Sequence, residues 1–120
     1  MNIVPDTNVV IYLQKGLLAD ELPFGEYSIS VITEMELLSF PGLNDEQRPW
    51  LRRFIDDVEV VEIDEWIKQR AIALRREHRL KLPDAIIAAT AIGRDAALYS
   101  NDQGFARLPG LKWRKLALRR

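Results

Sequence analysis

The chain has 120 residues, of which 48% are hydrophobic and 29% are charged. This length excludes a multidomain enzyme and the composition is sufficient for an ordinary core, so we expect residues 1–120 to form a single domain. Cysteine is absent and histidine occurs once, at His78, which excludes disulfides, thiolate zinc sites and catalysis by a pair of histidines. Any catalysis must therefore depend on carboxylates.

Charge is distributed unevenly along the sequence. Residues 1–65 hold 14 acidic and 4 basic residues, whereas residues 66–120 hold 4 acidic and 13 basic residues, and the formal net charge is only −1. The basic half favours a polyanionic partner, although two solvated faces of opposite charge would explain the same asymmetry. Because no apolar run is long enough to cross a membrane and a secretion signal is absent, we expect a soluble, cytoplasmic protein with no membrane partner.

Hydrophobic periodicity predicts ten elements in the order βαβααβααββ. In chain order they are a strand at 2–4, a helix at 9–13, a strand at 27–32, a helix from 33, a helix at 46–56, a strand at 58–63, a helix at 64–79, a helix at 84–92, and strands at 97–100 and 111–116. Thr33 and Glu36 match a capping box at the start of the second helix. The connections are too long for hairpins, so we predict an α/β fold, a three-layer α/β/α sandwich with a central parallel sheet.

Acidic residues follow the predicted strands or open the helices beside them. These residues are Asp6, Glu36, Asp84 and Asp102. Because the carboxyl ends of parallel strands meet at one edge of a sheet, and ligands bind in the crevice there, we expect the four carboxylates to converge.

Each of these acids also has an ordinary structural explanation. Asp6 is able to cap the following helix, Glu36 to complete the capping box and Asp102 to shape a turn. Asp84 is able to complement a helix dipole. If the four do gather, however, their repulsion requires neutralisation by protons or cations. A ligand set of oxygen atoms alone selects Mg²⁺ or Mn²⁺.

Four segments of the sequence resemble, in order, the signature blocks of PIN-domain ribonucleases, and most closely those of VapC toxins from type II toxin–antitoxin systems. The segments are 4–9 (VPDTNV), 30–38 (SVITEMELL), 82–91 (LPDAIIAATA) and 98–105 (LYSNDQGF). Two positions depart from the family pattern. Gly104 stands where many members carry a further acid, which leaves open whether one or two metal ions bind, and Pro5 replaces an aliphatic residue.

The resemblance implies a PIN-like nuclease domain and a Mg²⁺- or Mn²⁺-dependent endoribonuclease, in which a metal-activated water cleaves RNA phosphodiesters. It also implies a cognate antitoxin and a homodimer. By position, Asp6, Glu36, Asp84 and Asp102 are the candidate catalytic residues. We expect Asp6, Asp84 and Asp102 to bind the metal and Thr7 and Ser100 to support them. Candidate RNA contacts, from the basic helix and the residues after it, are Arg75, Arg76, Arg79 and Lys81.

Two other functions remain open from the sequence. A PIN-like module that binds without cleaving is one alternative, and Gly104 is the feature that favours it. A phosphoacceptor signalling domain has about this length and an acid after its first strand. It would need an aspartate after the third strand, whereas Asp56 and Asp57 precede that strand.

Overall fold

The computed structural model describes residues 1–120 and contains ten α-helices and strands together with one short 3₁₀-helix, at Gln103–Phe105. The strands are β1 (Asn2–Pro5), β2 (Glu26–Ser30), β3 (Glu59–Val61), β4 (Ala97–Tyr99) and β5 (Lys112–Arg114). The helices are α1 (Thr7–Gln14), α2 (Val31–Leu38), α3 (Gln47–Asp57), α4 (Glu65–His78) and α5 (Leu82–Gly93). The predicted order of elements is confirmed.

All five strands form one parallel sheet in the order β3-β2-β1-β4-β5. The chain builds outward from β1 to β3 and then returns to place β4 on the other side of β1. Ile3 in β1 is therefore in register with Tyr27 on one side and Ala97 on the other. This reversal between β1 and β4 is the point at which parallel α/β sheets open a crevice for ligands.

Helices cover both faces of the sheet, as predicted for a three-layer sandwich. On one face, α4, α5 and the residues after β4 surround a core of 15 buried residues, which includes Val4 and Leu98. On the other face, α1, α2 and α3 pack around Ile29 in a smaller core of 6 residues. The helix α5 is buried from Ala85 to Ala91, which explains its almost uninterrupted apolar sequence. None of the helices combines the length and apolar composition that a membrane crossing requires.

The helix α2 begins earlier than the sequence analysis predicted. Ser30 is its N-cap, and the Ser30 hydroxyl accepts a hydrogen bond from the Ile32 amide at 3.1 Å. Thr33 consequently lies inside the helix and is fully buried. The capping box of Thr33 and Glu36 is therefore wrong, and β2 ends at Ser30 instead of continuing to Ile32. Ser30 is the last residue of β2 and is paired with Val61 of β3, so it offers a capping oxygen before Thr33 is reached.

Asp64 caps the start of α4 as predicted, because its carboxylate accepts a hydrogen bond from the Ile67 amide at 2.8 Å. The other end of α4, where it joins α5, lies at the same edge as the carboxyl ends of the strands. The helix ends at Arg79, whose left-handed backbone (φ 58°) terminates the helical path. The next helix, α5, has Lys81 as its N-cap and begins at Leu82, two residues before the predicted start.

Candidate active site

Asp6 and Ser100 meet at the carboxyl ends of β1 and β4. These strands are neighbours, and the Asp6 amide donates a hydrogen bond to the Tyr99 carbonyl at 3.0 Å. Asp6 is only 6% exposed. One of its carboxylate oxygens accepts a hydrogen bond from the Val9 amide at 2.9 Å, which caps α1. The other accepts a short hydrogen bond from the Ser100 hydroxyl. Asp6 thus caps α1 with one carboxylate oxygen and contacts Ser100, at the end of β4, with the other.

Ser100 links two of the predicted acids. While its hydroxyl donates to Asp6, the same oxygen accepts a hydrogen bond from the Asp102 amide at 3.0 Å. Asp102 is exposed, and its carboxylate accepts from the Gly104 amide at 2.8 Å. The turn predicted at Asp102 is therefore present, and a single buried hydroxyl connects it to Asp6.

Glu36 reaches the site from α2. Its carboxylate accepts a hydrogen bond of 2.6 Å from the Thr7 hydroxyl, while the hydroxyls of Thr7 and Thr33 lie 3.5 Å apart. Thr7 belongs to α1, next to Asp6 in the sequence. The partner of Glu36 is therefore a residue 29 positions away, and not the N-cap of its own helix.

The carboxylates influence one another electrostatically. Burial is the largest cause that raises the pKa of Asp6. The negative charges of Asp102 and Glu36 raise it further, and the hydrogen bonds from Ser100 and Val9 oppose the increase.

Asp84, in the first turn of α5, shows the same effect. Burial raises its pKa most, and the charges of Asp102, Glu36 and Asp6 add to the increase, against the opposing charge of Lys81. The structure therefore brings all four predicted acids into one electrostatic neighbourhood.

The donor chemistry of this neighbourhood fits a hard divalent cation. It offers carboxylate and hydroxyl oxygens, which Mg²⁺ and Mn²⁺ prefer. None of the three ion pairs in the structure involves the four acids, so no basic side chain pairs with their charge. No three acidic or histidine side chains lie close enough together to form a complete ligand set as they stand. A divalent cation therefore suits this site because the available ligands are oxygen atoms and because the carboxylates have no basic partner.

Basic residues lie at the α4–α5 junction. Arg75, Arg76 and Arg79 line an open cavity of about 510 Å³ together with apolar side chains of α4 and of the residues that follow it. Lys81 lies three residues before Asp84, and its charge lowers the pKa of that aspartate. The predicted RNA contacts thus flank the end of α5 that carries Asp84.

Two residues near the Asp102 turn, Asn101 and Arg107, had no role predicted from the sequence. Asn101 accepts a hydrogen bond from the Leu116 amide at 2.8 Å, and the Ser100 amide donates to the Arg114 carbonyl at 3.0 Å. The Asp102 turn is therefore attached to β5 and the residues after it. Arg107 lines a second cavity beside this turn. Its position shortly after Phe105 was the one available signal, and only the fold shows that it lines a cavity with Gln103 and Gly104.

Replacing Ser100 by alanine should raise the pKa of Asp6 further. The Ser100 hydroxyl donates to the charged carboxylate, so its removal destabilises the ionised form. An NMR titration of the Asp6 carboxyl carbon would measure the change. Ser28→Ala, which removes a buried hydroxyl from β2, is the matched control and should leave this pKa unchanged. An unaltered Asp6 pKa in Ser100→Ala would contradict the assigned hydrogen bond.

Replacing Asp84 by asparagine should stabilise the metal-free protein at neutral pH. The raised pKa means that the folded chain disfavours the Asp84 charge relative to the unfolded chain. The contribution of Asp84 to stability should therefore fall as pH rises from below the ordinary carboxyl pKa through the raised value. The variant should melt at a higher temperature than wild type at neutral pH, and the difference should vanish in acid. A lower melting temperature at neutral pH would indicate that Asp84 acts mainly as a helix-dipole partner.

Together, the fold and this edge define an α/β protein with a carboxylate-rich site at the reversal point of a parallel sheet. The chain belongs to the PIN-domain family, whose model matches residues 3–111. This confirms the family that the four sequence segments predicted. A comparison with curated protein sequences gives no significant match.

Solved structures agree with this assignment. The chain is similar to one in a toxin–antitoxin complex from Klebsiella pneumoniae, with 31% identity, a TM-score of 0.72, and coverage of 91% of this chain and 94% of the other. It is also similar to a chain of DNA-bound VapBC from Salmonella typhimurium (25% identity, TM-score 0.80, coverage 96% and 98%). VapBC-1 from nontypeable Haemophilus influenzae gives 27% identity, a TM-score of 0.74 and the same coverage. The likeness to VapC toxins is thereby confirmed.

Proposed function

We propose that the chain is a divalent-metal-dependent endoribonuclease and the toxin of a toxin–antitoxin pair. The observation that carries the proposal is that carboxylates from separate elements share one edge of the sheet: burial raises the pKa of Asp6 and of Asp84 most, and the charges of the other acids raise both further. Such crowding is costly in a purely structural site, whereas it suits the binding of a cation. Membership of the PIN-domain family supports nuclease activity.

In this proposal the acids have distinct tasks. Asp6, Asp84 and Asp102 hold Mg²⁺ or Mn²⁺, and Glu36 is a further ligand or orients the attacking water. Ser100 fixes the carboxylate of Asp6. Thr7 fixes that of Glu36. When bound, the cation offsets negative charge on the phosphodiester and lowers the pKa of a water molecule.

The basic residues bind the substrate. Arg75, Arg76, Arg79 and Lys81 surround the end of α5 and contact backbone phosphates of the RNA. Such contacts position a strand without reading its bases. These four residues are among the 13 basic residues of the second half of the chain.

Cleavage of a mixed RNA pool by the purified chain tests the enzymatic part. We expect cleavage with Mg²⁺ or Mn²⁺ and none after exhaustive chelation. Cleavage that survives chelation would refute metal dependence. Binding of RNA without cleavage under any metal would favour the inactive PIN-like module.

Growth of a bacterial host tests the toxin part. Expression of the chain alone should arrest growth, and coexpression of a small protein encoded immediately upstream should restore it. The complexes similar to this chain support such a partner. Asp84→Asn is the control and should leave growth unaffected. Growth arrest that persists when each neighbouring protein is coexpressed would contradict the pairing with an antitoxin.

The proposal also includes a homodimer, which the solution mass of the purified chain tests.

A further inference from the structure

A cavity of about 420 Å³ adjoins the Asp102 turn and has no role in the function described so far. Residues of the turn form one wall, and the last residue of α4 forms part of the other. The lining residues are His78, Gln103, Gly104, Ala106, Arg107 and Leu108. The cavity therefore begins at the residue that follows Asp102.

The cavity wall and Asp102 belong to one well-anchored segment. The Gly104 amide donates to the Asp102 carboxylate at 2.8 Å. Phe105 and Leu108, which are both buried in the larger core, hold the chain on either side of Arg107. Because these anchors are apolar and buried, the position of Arg107 relative to Asp102 is set by core packing.

The cavity is lined by one basic side chain, Arg107, and by the imidazole of His78. Arg107 and His78 are both exposed, and neither takes part in any of the three ion pairs. Gly104 contributes no side chain to the wall, and a Cβ there would lie 3.1 Å from a carboxylate oxygen of Asp102. The cavity wall at Gly104 is therefore backbone alone, and it lies next to the Asp102 carboxylate that accepts the Gly104 hydrogen bond.

We propose that this cavity binds a phosphate of single-stranded RNA next to the one that is cleaved, with Arg107 as the main contact and His78 as a second donor. The inference rests on the proposed nuclease function and extends it to a substrate subsite. RNA is favoured over an acidic peptide because Gln103 and Gly104, which directly follow Asp102, line the cavity. A strand whose phosphate reaches the acids places a neighbouring phosphate within the reach of Arg107. An arginine fork suits a phosphate group well.

Binding of a short fluorescein-labelled single-stranded RNA, followed by anisotropy, tests the subsite. All variants carry Asp84→Asn, so that the RNA stays intact. Arg107→Gln should weaken binding about threefold to fivefold, as expected for an exposed charge pair. The slope of log affinity against log salt concentration should fall by about 0.7, the value for one phosphate contact with a single strand. His78→Asn should have a smaller effect in the same direction.

Arg53→Gln is the matched control, because Arg53 is exposed on α3, on the opposite face of the sheet, and forms no ion pair. It should change neither affinity nor salt slope. Equal effects of Arg107→Gln and Arg53→Gln would overturn the subsite. An effect of Arg107→Gln on antitoxin binding alone would assign the cavity to a protein partner and overturn it as well.

Cleavage by chains with a normal Asp84 separates this inference from the proposed function. Arg107→Gln should raise KM while kcat stays close to that of wild type. If wild type cleaves RNA and Arg107→Gln has the same KM, the subsite is refuted and the nuclease function stands. If wild type fails to cleave, the nuclease function fails, and the binding measurement still decides whether the cavity holds RNA.

Discussion

Replacing Asp84 by asparagine should lower the rate of RNA cleavage at least about 100-fold, the scale on which loss of one essential electrostatic group acts. The substitution keeps the shape of the side chain and removes its charge. Asp84 is half-buried in the first turn of α5, where its pKa is raised by burial and by three other carboxylates. The initial rate of cleavage at saturating Mg²⁺ is the measurement, with circular dichroism to verify the fold.

Asp57→Asn is the control for this experiment. Asp57 is an exposed carboxylate at the end of α3, on the face of the sheet opposite α5. Its removal changes the net charge by the same amount and should leave the rate within about twofold, as for an ordinary surface substitution. A rate for Asp84→Asn similar to that of Asp57→Asn would remove Asp84 from the proposed metal site.

Replacing Phe105 by alanine should lower the free energy of unfolding by about 3–5 kcal/mol, the usual cost of deleting a buried ring. Phe105 is 2% exposed and packs in the larger core, in the segment between Asp102 and Arg107. A loss of this size is a large part of the ~5–15 kcal/mol that stabilises a typical domain. Urea denaturation would measure the change.

Phe24→Ala is the matched control, because it removes the same kind of side chain from an exposed position. Phe24 is 101% exposed, so Phe24→Ala should change the free energy of unfolding by no more than about 0.5 kcal/mol. A similar small loss in Phe105→Ala would show that the Asp102 turn is held by its hydrogen bonds, and that the ring contributes little.

The architecture and the convergence of the acids were predictable from local patterns. The almost uninterrupted apolar sequence from Ala85 to Ala91 indicated a buried helix, and the spacing of the strands excluded hairpins. Because parallel strands end at a common edge, the positions of Asp6 and Asp102 after strands were sufficient to place both at one crevice.

Local patterns did not predict the partners of the acids, because these partners depend on tertiary packing. The family resemblance implied that Thr7 and Ser100 support the acids, and the structure shows which acid each hydroxyl contacts. The start of α2 was mispredicted for the same reason: the local pattern favoured Thr33 as its cap, whereas Ser30 caps it. Pairing of β2 with β3 ends at Ser30, opposite Val61, so the helix starts directly after that residue. The bond between Asp6 and Ser100 joins residues 94 positions apart, and no local pattern reports such a contact.

The attachment of Asn101 to Leu116 determines how late in translation the site at Asp102 is completed. Ribosomes release the chain from its amino end, so Asp6, Glu36 and Asp84 emerge well before the segment that fixes the Asp102 turn. That turn gains its hydrogen bonds to Arg114 and Leu116 only after those residues have been translated. A nascent chain that stops short of them lacks these tethers, so the fully tethered site forms only after residues 1–116 have been translated.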